Sequence, residues 1–113
     1  VYKCKPTSDH VHTMAIEYGG TVLLKGKYDY VSNGEDIWEN RTGNVGMTKG
    51  GTGDVVSGTV AALSCTNDNI TATCVGIHLA GLAGDESYEK KGTFYNAEDL
   101  VEQMGNIWKK FIK

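Results

Sequence analysis

The sequence predicts an α/β domain in which three to four helices pack against a short sheet that contains a β-hairpin. Three observations lead to this prediction. One run of apolar and β-branched residues is too short for a helix, an Asn-Gly pair separates two further strand-like runs, and apolar residues recur at helical spacing in the second half of the chain. The 113 residues fit one domain. We expect residues 1–113 to form a single domain that is a fragment of a longer one.

The first half of the chain is predicted to contain one helix and three strands. Residues 9–18 are predicted to form a short helix that ends at two glycines, a typical C-terminal cap. Residues 21–24 lack polar alternation, which is typical of a strand buried on both faces of a parallel sheet. Residues 28–40 follow as a hairpin with a two-residue turn at Asn33-Gly34. A parallel sheet needs further strands, which also indicates that part of the domain is missing.

Three helices are predicted for the second half. Apolar residues from Val56 to Leu63 recur at spacings of four and three, which is a helical pattern. A polar segment then precedes a helix from about Ile70 to Lys90. Asn96, with Asp99 three positions on, is typical of the start of a last helix. The predicted apolar face of that helix consists of Ala97, Leu100, Val101, Met104, Trp108 and Phe111.

Composition and charge exclude several classes of function. A net charge of −3 argues against a nucleic-acid partner, and no apolar run reaches the ~18 residues that a membrane span needs. The polar start predicts no signal peptide. Three cysteines without a C-x-x-C spacing indicate a reducing compartment, so a cytoplasmic location is expected. His10 and His12 do not share a helix face, so no metal site is predicted.

The segment Gly43–Gly58 holds six of the fifteen glycines and leads into a predicted helix. The first N–H groups of a helix lack internal acceptors and lie at the positive end of its dipole. Glycines let an anion approach such a backbone closely. We therefore predict that the N–H groups of Gly51, Thr52 and Gly53 bind a phosphate. The spacing fits neither a Walker loop nor a complete dinucleotide-binding fingerprint.

Two acidic residues each allow two explanations from the sequence alone. Asp54 directly follows the predicted phosphate-binding amides. It is either a base that deprotonates a hydroxyl attacking the phosphate, or a carboxylate that stabilises the helix dipole by roughly 0.3–1 kcal/mol. Asp85 either forms a pair near this site or has a purely structural role in packing.

Three stretches of the chain resemble a known family. They are "VLLKGKYDYV", "NRTGNVGMTKGGTGDVVSGTVAAL" and "GIHLAGLAGD". They are similar to the C-terminal part of the ADP/ATP-dependent NAD(P)H-hydrate dehydratases, which belong to the ribokinase-like superfamily. The resemblance extends from about Gly20 to Asp85, and loosely over the last helix, and implies the C-terminal portion of a ribokinase-like fold. Members of the family are well over twice as long, and their N-terminal half forms much of the sheet and of the hydrate pocket.

The resemblance also implies an activity and a set of site residues. Family enzymes transfer a phosphoryl group from ADP or ATP to the hydroxyl of hydrated NADH or NADPH and then eliminate phosphate. It implies that Asp54 contacts the hydrate and acts as the base, with Mg²⁺ expected beside the nucleotide. It assigns nucleotide binding to Lys25, Gly26, Asp29, Asn44, Gly46, Met47, Thr48, Lys49, Gly50, Gly51, Thr52 and Gly53.

Two alternatives to the dehydratase stay open. The first is a ribokinase-like kinase that phosphorylates a sugar or a vitamin alcohol with the same amides and base. The upstream "TGNVGM" favours the dehydratase over this kinase. The second is a non-catalytic binding module that pairs with another chain to complete its sheet. The sequence leaves open whether the protein forms a homo-oligomer.

Overall fold

The structure, a computed structural model, describes residues 1–4 and 10–111. Within these residues the chain forms four strands, four helices and two 3₁₀ turns. The strands are β1 (Tyr2–Cys4), β2 (Val22–Leu24), β3 (Asp29–Ser32) and β4 (Ile37–Asn40). The helices are α1 (His10–Tyr18), α2 (Thr52–Ser64), α3 (Asn69–Lys91) and α4 (Ala97–Phe111). The 3₁₀ turns span Val45–Met47 and Gly92–Phe94.

The four strands form one antiparallel sheet in the order β1-β4-β3-β2. The prediction of a parallel strand buried on both faces is therefore wrong for β2, which pairs with β3 and leaves Leu24 43% exposed. Residues 25–28 are too few for the crossover of a dozen or more residues that a parallel pair requires. The pairing of β1 with β4 was not expected from the sequence.

The hairpin between β3 and β4 is confirmed, but its turn is longer than predicted. Ser32 pairs with Ile37, so the loop spans residues 33–36 rather than Asn33-Gly34 alone. The Asn33 side chain shapes this loop, because its Oδ1 accepts hydrogen bonds from the backbone N–H groups of residues 35 and 36, both at 2.9 Å. Gly34 has a φ of 90°, a conformation that L side chains rarely adopt.

Helices cover both faces of the sheet. On one face α1 packs against β2 and β3, and the Nδ1 of His12 lies 3.2 Å from the Oγ of Ser32. Successive side chains of a strand point to opposite faces, and Val31, the neighbour of Ser32, packs against α2 and α3. The predicted end of α1 is confirmed, since Gly19 has a φ of 67° and its N–H donates to the Ala15 carbonyl at 3.0 Å.

α3 is the central helix and packs against both α2 and α4. Small residues permit this close packing: a Cβ at Gly76 would stand 2.6 Å from Cγ2 of Val60. The predicted helix from Ile70 to Lys90 is confirmed, and Asp68 caps its start by accepting from the Thr71 N–H at 2.8 Å. The buried core includes two clusters of apolar residues, Val31, Val56, Ile77 and Ala80 in one and Leu79, Ala83, Leu100 and Ile107 in the other.

The predicted start of α4 is confirmed, but its predicted apolar face is only partly buried. Val101, Trp108 and Phe111 are 56%, 41% and 62% exposed. Leu100 is buried as predicted and Met104 packs against the core, and the core also includes Ile107, which the predicted face left out. Apolar spacing alone does not distinguish a side chain in the core from one on an exposed apolar stripe. Within residues 1–4 and 10–111, no helix combines the length and the apolar character needed to cross a membrane.

Candidate active site

The candidate site is built around the first turn of α2. Gly51 precedes the helix with φ 90° and ψ −22° and supplies no side-chain cap. The N–H groups of the first turn have no acceptor inside the helix. Within the described residues, no carbonyl or side chain outside the helix takes the N–H groups of residues 51–53. These N–H groups are therefore available to donate hydrogen bonds to an anion at the positive end of the helix dipole.

Gly51 also brings the start of α2 against the start of α4. A Cβ at Gly51 would stand 2.8 Å from the Cβ of Ala97, closer than side chains approach each other. The positive φ disfavours any other residue as well. The local sequence thus fixes where α2 begins and which way its first amides point.

Lys25 approaches the same helix start from the loop between β2 and β3. Its Nζ lies 3.6 Å from the point at which a Cβ of Gly53 would stand. The side chain is exposed, and no described residue forms an ion pair or hydrogen bond with its ammonium. A point charge beside unpaired amides adds to the attraction for a phosphate. Lys25 therefore lies beside the glycine segment in the fold.

Asp29, which the resemblance assigns to nucleotide binding, lies at the start of β3. Its carboxylate is 8% exposed and accepts from the Gly26 N–H at 3.2 Å and from the Asn40 Nδ2 at 3.0 Å. Both carboxylate oxygens thus contact the protein itself. Asp29 fixes the loop that carries Lys25 and joins it to the end of β4.

Asp54 lies in the first turn of α2 with an exposed side chain. No described residue bonds to its carboxylate, so Asp54 is accessible to a reactant. Beside it, a groove of about 640 Å³ runs between α2 and α4. The groove is lined by Asp54, Val55, Gly58, Thr59, Ala62, Leu63, Thr66, Val101, Met104, Gly105 and Trp108.

Two of the predicted nucleotide-binding residues form hydrogen bonds that hold the glycine segment in shape. The ammonium of Lys49 donates to the carbonyls of Thr93 and Tyr95 at 2.6 and 2.5 Å. The hydroxyl of Thr52 donates to the carbonyls of Met47 and Lys49 at 2.6 and 2.9 Å. The polar ends of these two side chains thus bond to backbone carbonyls of the protein itself.

The remaining residues of the segment differ in exposure. Gly46 is buried, and a Cβ there would stand 2.6 Å from Cε1 of Tyr95. Met47 packs on α3, where a Cβ at Gly84 would stand 2.5 Å from its Sδ. Thr48 and Gly50 are exposed at the surface next to the helix start, and nothing lies within 4 Å of a Cβ at Gly50.

Asn44 connects the segment to two residues that are distant in the sequence. Its Nδ2 donates to Asp85 at 3.0 Å, and its Oδ1 accepts from the Tyr95 hydroxyl at 2.7 Å. Burial raises the pKa of Tyr95, so this hydroxyl stays protonated and donates. Sequence reasoning left the role of Asp85 open and missed Tyr95, because no local pattern relates residues 51 positions apart.

Comparison with known proteins places this geometry in a family. The sequence model described as NAD(P)H-hydrate dehydratase matches residues 3–106. The chain belongs to the NAD(P)H-hydrate dehydratase family. Residues 3–106 include the sheet, the glycine segment and most of α4, so the match spans every element of the candidate site.

Two archaeal members of the NAD(P)H-hydrate dehydratase family show how much of a relative this chain represents. The bifunctional NAD(P)H-hydrate repair enzyme of Methanocaldococcus jannaschii is 44% identical over 91 residues, which are 80% of this chain and 18% of that enzyme. The ADP-dependent (S)-NAD(P)H-hydrate dehydratase of Cenarchaeum symbiosum is 37% identical over 102 residues, which are 89% of this chain and 36% of that enzyme. The chain thus spans between about a fifth and about a third of these relatives.

A solved structure of the family confirms the predicted fold class. It is the ADP/ATP-dependent NAD(P)H-hydrate dehydratase of Bacillus subtilis, co-crystallised with ATP and Mg²⁺. The match has a TM-score of 0.80 at 25% identity and covers 91% of this chain and 38% of that one. The chain therefore has the α/β architecture of a portion of a ribokinase-like enzyme, as the resemblance implied.

Proposed function

We propose that this chain carries the nucleotide-binding part and the base of an ADP- or ATP-dependent NAD(P)H-hydrate dehydratase. The observation that supports the proposal most strongly is the meeting of three features at the start of α2. They are the unpaired amides of residues 51–53, the Lys25 ammonium beside Gly53, and the exposed Asp54 carboxylate. Family membership gives this arrangement its substrate class.

In the proposed reaction the amides and Lys25 hold the terminal phosphoryl group of the nucleotide. Both contribute positive charge, which stabilises negative charge that develops on the phosphoryl oxygens. Asp54 takes the proton from the hydrate hydroxyl as that oxygen attacks phosphorus and the bond from phosphorus to the nucleotide breaks. The phosphorylated hydrate then eliminates phosphate: its carbon–oxygen bond breaks, the neighbouring ring carbon loses a proton to solvent, and the carbon–carbon double bond that forms restores the dihydronicotinamide ring.

The nucleotide fits the described residues better than Mg²⁺ does. Among the residues described, no three His, Cys, Asp or Glu side chains are grouped closely enough to hold a metal ion. We therefore derive no step through Mg²⁺. The metal that the family resemblance leads us to expect would have to be bound largely through nucleotide phosphates, which is common for this ion.

The proposal includes a cytoplasmic location, because the odd number of cysteines is typical of a reducing compartment. Cys65 and Cys74 are both free thiols. Sedimentation velocity would decide whether the protein forms a homo-oligomer.

The test measures nucleotide binding and hydrate dehydration separately. ADP and ATP are titrated into the chain by calorimetry. Recovery of NADH absorbance from hydrated NADH is followed with the full-length protein of which this chain is expected to be a part. We expect nucleotide binding, and we expect Asp54→Asn to abolish dehydration while it preserves binding. Glu35→Gln, an exposed acid in the loop between β3 and β4, is the matched control and leaves both unchanged.

Two outcomes would contradict the proposal. A chain that binds neither ADP nor ATP would favour the non-catalytic module. A stable phosphorylated product without recovered NADH would favour the kinase, since the two enzymes share the amides and the base.

A further inference from the structure

Asp85 joins the middle of α3 to the start of the glycine segment. One oxygen of its carboxylate accepts from the Gly43 N–H at 3.1 Å, and the other accepts from the Asn44 Nδ2 at 3.0 Å. These partners lie 42 and 41 residues earlier in the chain. The two bonds therefore fix the direction in which the segment leaves the sheet.

The Asn44 side chain connects Asp85 to the loop that follows. Its Oδ1 accepts two hydrogen bonds, from the Gly46 N–H at 2.9 Å and from the Tyr95 hydroxyl at 2.7 Å. Tyr95 is 1% exposed and is held by the chain between α3 and α4. The side chain of Asn44 thus donates to α3 and accepts from both the loop and Tyr95, which leaves it a single orientation.

The other end of the loop reaches the same tyrosine. The Lys49 ammonium donates to the Tyr95 carbonyl and lies 4.6 Å from the centre of the Tyr95 ring. A Cβ at Gly46 would collide with that ring, so the loop packs on Tyr95 between its two anchors. Residues 43–49 are thus anchored at both ends, directly before the unpaired amides.

We propose that Asp85 and Tyr95 are positioning residues that act through Asn44 to hold the loop 43–51 in the shape that aims the amides of residues 51–53 at a phosphate. The inference rests on the proposed function for its ligand. It assigns neither residue a contact with the nucleotide. They act on the nucleotide only through the backbone that they hold. The loss of affinity caused by a single substitution should therefore disappear when the same hydrogen bonds are rebuilt from other atoms.

An exchange of the two polar side chains rebuilds these bonds. Asp85→Asn alone replaces one carboxylate oxygen by an NH₂ group. That group faces either the Gly43 N–H or the Asn44 Nδ2, which are both donors, so one of the two hydrogen bonds is lost. In Asn44→Asp alone, the carboxylates of residues 44 and 85 face each other and repel. In the double variant the new amide at position 85 donates to the new carboxylate at position 44 and still accepts from the Gly43 N–H. The second oxygen at position 44 accepts from Gly46 and Tyr95 as before.

The experiment measures amide hydrogen exchange over residues 43–53 and the affinity for ADP, with Tyr95→Phe as a third single variant. Glu89→Gln, an exposed acid one turn further along α3, is the matched control. We expect each of the three variants to speed exchange over residues 43–53 and to weaken ADP binding about tenfold, since bonds to charged or buried groups are lost. We expect the double variant to recover both properties and the control to change neither.

Unchanged exchange over residues 43–53 in Asp85→Asn would overturn the proposal. The proposal would also be overturned if the double variant lost as much ADP affinity as Asp85→Asn and Asn44→Asp do together. Absence of ADP binding in the unmodified chain would contradict the proposed function instead, and the exchange pattern would still decide whether Asp85 and Tyr95 position the loop.

Discussion

The ammonium of Lys25 lies beside the first turn of α2, with its Nζ 3.6 Å from the point at which a Cβ of Gly53 would stand. The two residues come from different elements, the loop after β2 and the start of a helix. Because residue 53 has no side chain, the positive charge and the unpaired amides can contact the same anion. This relationship joins the two parts of the sequence that carry the family resemblance.

Replacement of Lys25 by methionine tests this contribution. We expect Lys25→Met to weaken ADP binding at least about fivefold at low ionic strength, because a unit charge near a phosphate at the protein surface is worth more than about 1 kcal/mol. The difference should shrink as salt is added, since exposed charges are screened. Calorimetric titrations at two salt concentrations would measure both effects.

Lys27→Met is the control for that experiment. Lys27 belongs to the same loop, but its ammonium lies over the Tyr28 ring, 5.8 Å from the centre. An equal loss of affinity in both variants would show that general positive charge, rather than the position of Lys25, attracts the nucleotide.

Gly51 should be irreplaceable for steric reasons. We expect Gly51→Ala to lower the free energy of unfolding by about 1–3 kcal/mol, because φ is 90° and the new methyl group would meet Ala97 at 2.8 Å. Gly50→Ala is the matched control, since nothing lies within 4 Å of a Cβ there. Urea denaturation of both variants measures the difference, and equal stabilities would contradict the tight contact between α2 and α4.

The two described free cysteines should differ in reactivity. Burial raises the pKa of the Cys74 thiol to about 11, whereas Cys65 is exposed. The thiolate is the reactive form, so at pH 8 iodoacetamide should modify Cys74 more than about tenfold more slowly than Cys65. The Cys74 rate should rise steeply as the pH approaches 11. Peptide mapping by mass spectrometry follows each site, and equal rates at pH 8 would contradict the burial of Cys74.

Asp99 should stabilise the start of α4 in a pH-dependent way. Its carboxylate accepts from Lys91 at 2.8 Å and from the Asn96 N–H at 3.0 Å, and the Lys91 hydrogen bond is the main cause that lowers its pKa below 3.8. A lowered pKa means that the stabilisation is full above about pH 3.8 and is lost as the pH falls through the folded-state value.

Thermal melting of Asp99→Ala checks this expectation. At pH 7 the variant should melt at a lower temperature than Glu98→Ala, which removes an exposed acid from the same helical turn. The gap between the two should close in strong acid. A gap that stays constant with pH would show that the charge of Asp99 does not matter.

The features that could be predicted from the sequence depend on neighbouring residues. The start of α2 follows from glycines that precede a helical pattern, and the start of α4 follows from Asn96 and Asp99, which exchange hydrogen bonds at 2.9 and 3.0 Å. The direction of β2 could also have been predicted. The four residues between β2 and β3 allow only an antiparallel pair.

The features that the sequence did not reveal depend on distant residues. The partners of Asn44 lie 41 and 51 positions away, and the carbonyls that bind Lys49 lie 44 and 46 positions away. A motif marks such residues as part of a site without distinguishing a ligand contact from a bond that shapes the loop. Which apolar residues of α4 are buried likewise depends on where α3 lies, which spacing does not specify.

The most direct test of the account follows the backbone amides of the chain by nuclear magnetic resonance while ADP is added. We predict that the largest shifts occur at Gly51, Thr52 and Gly53, with a smaller change at Lys25, and that inorganic phosphate at high concentration shifts the same amides. Shifts confined to other parts of the chain, with residues 51–53 unaffected, would contradict the account.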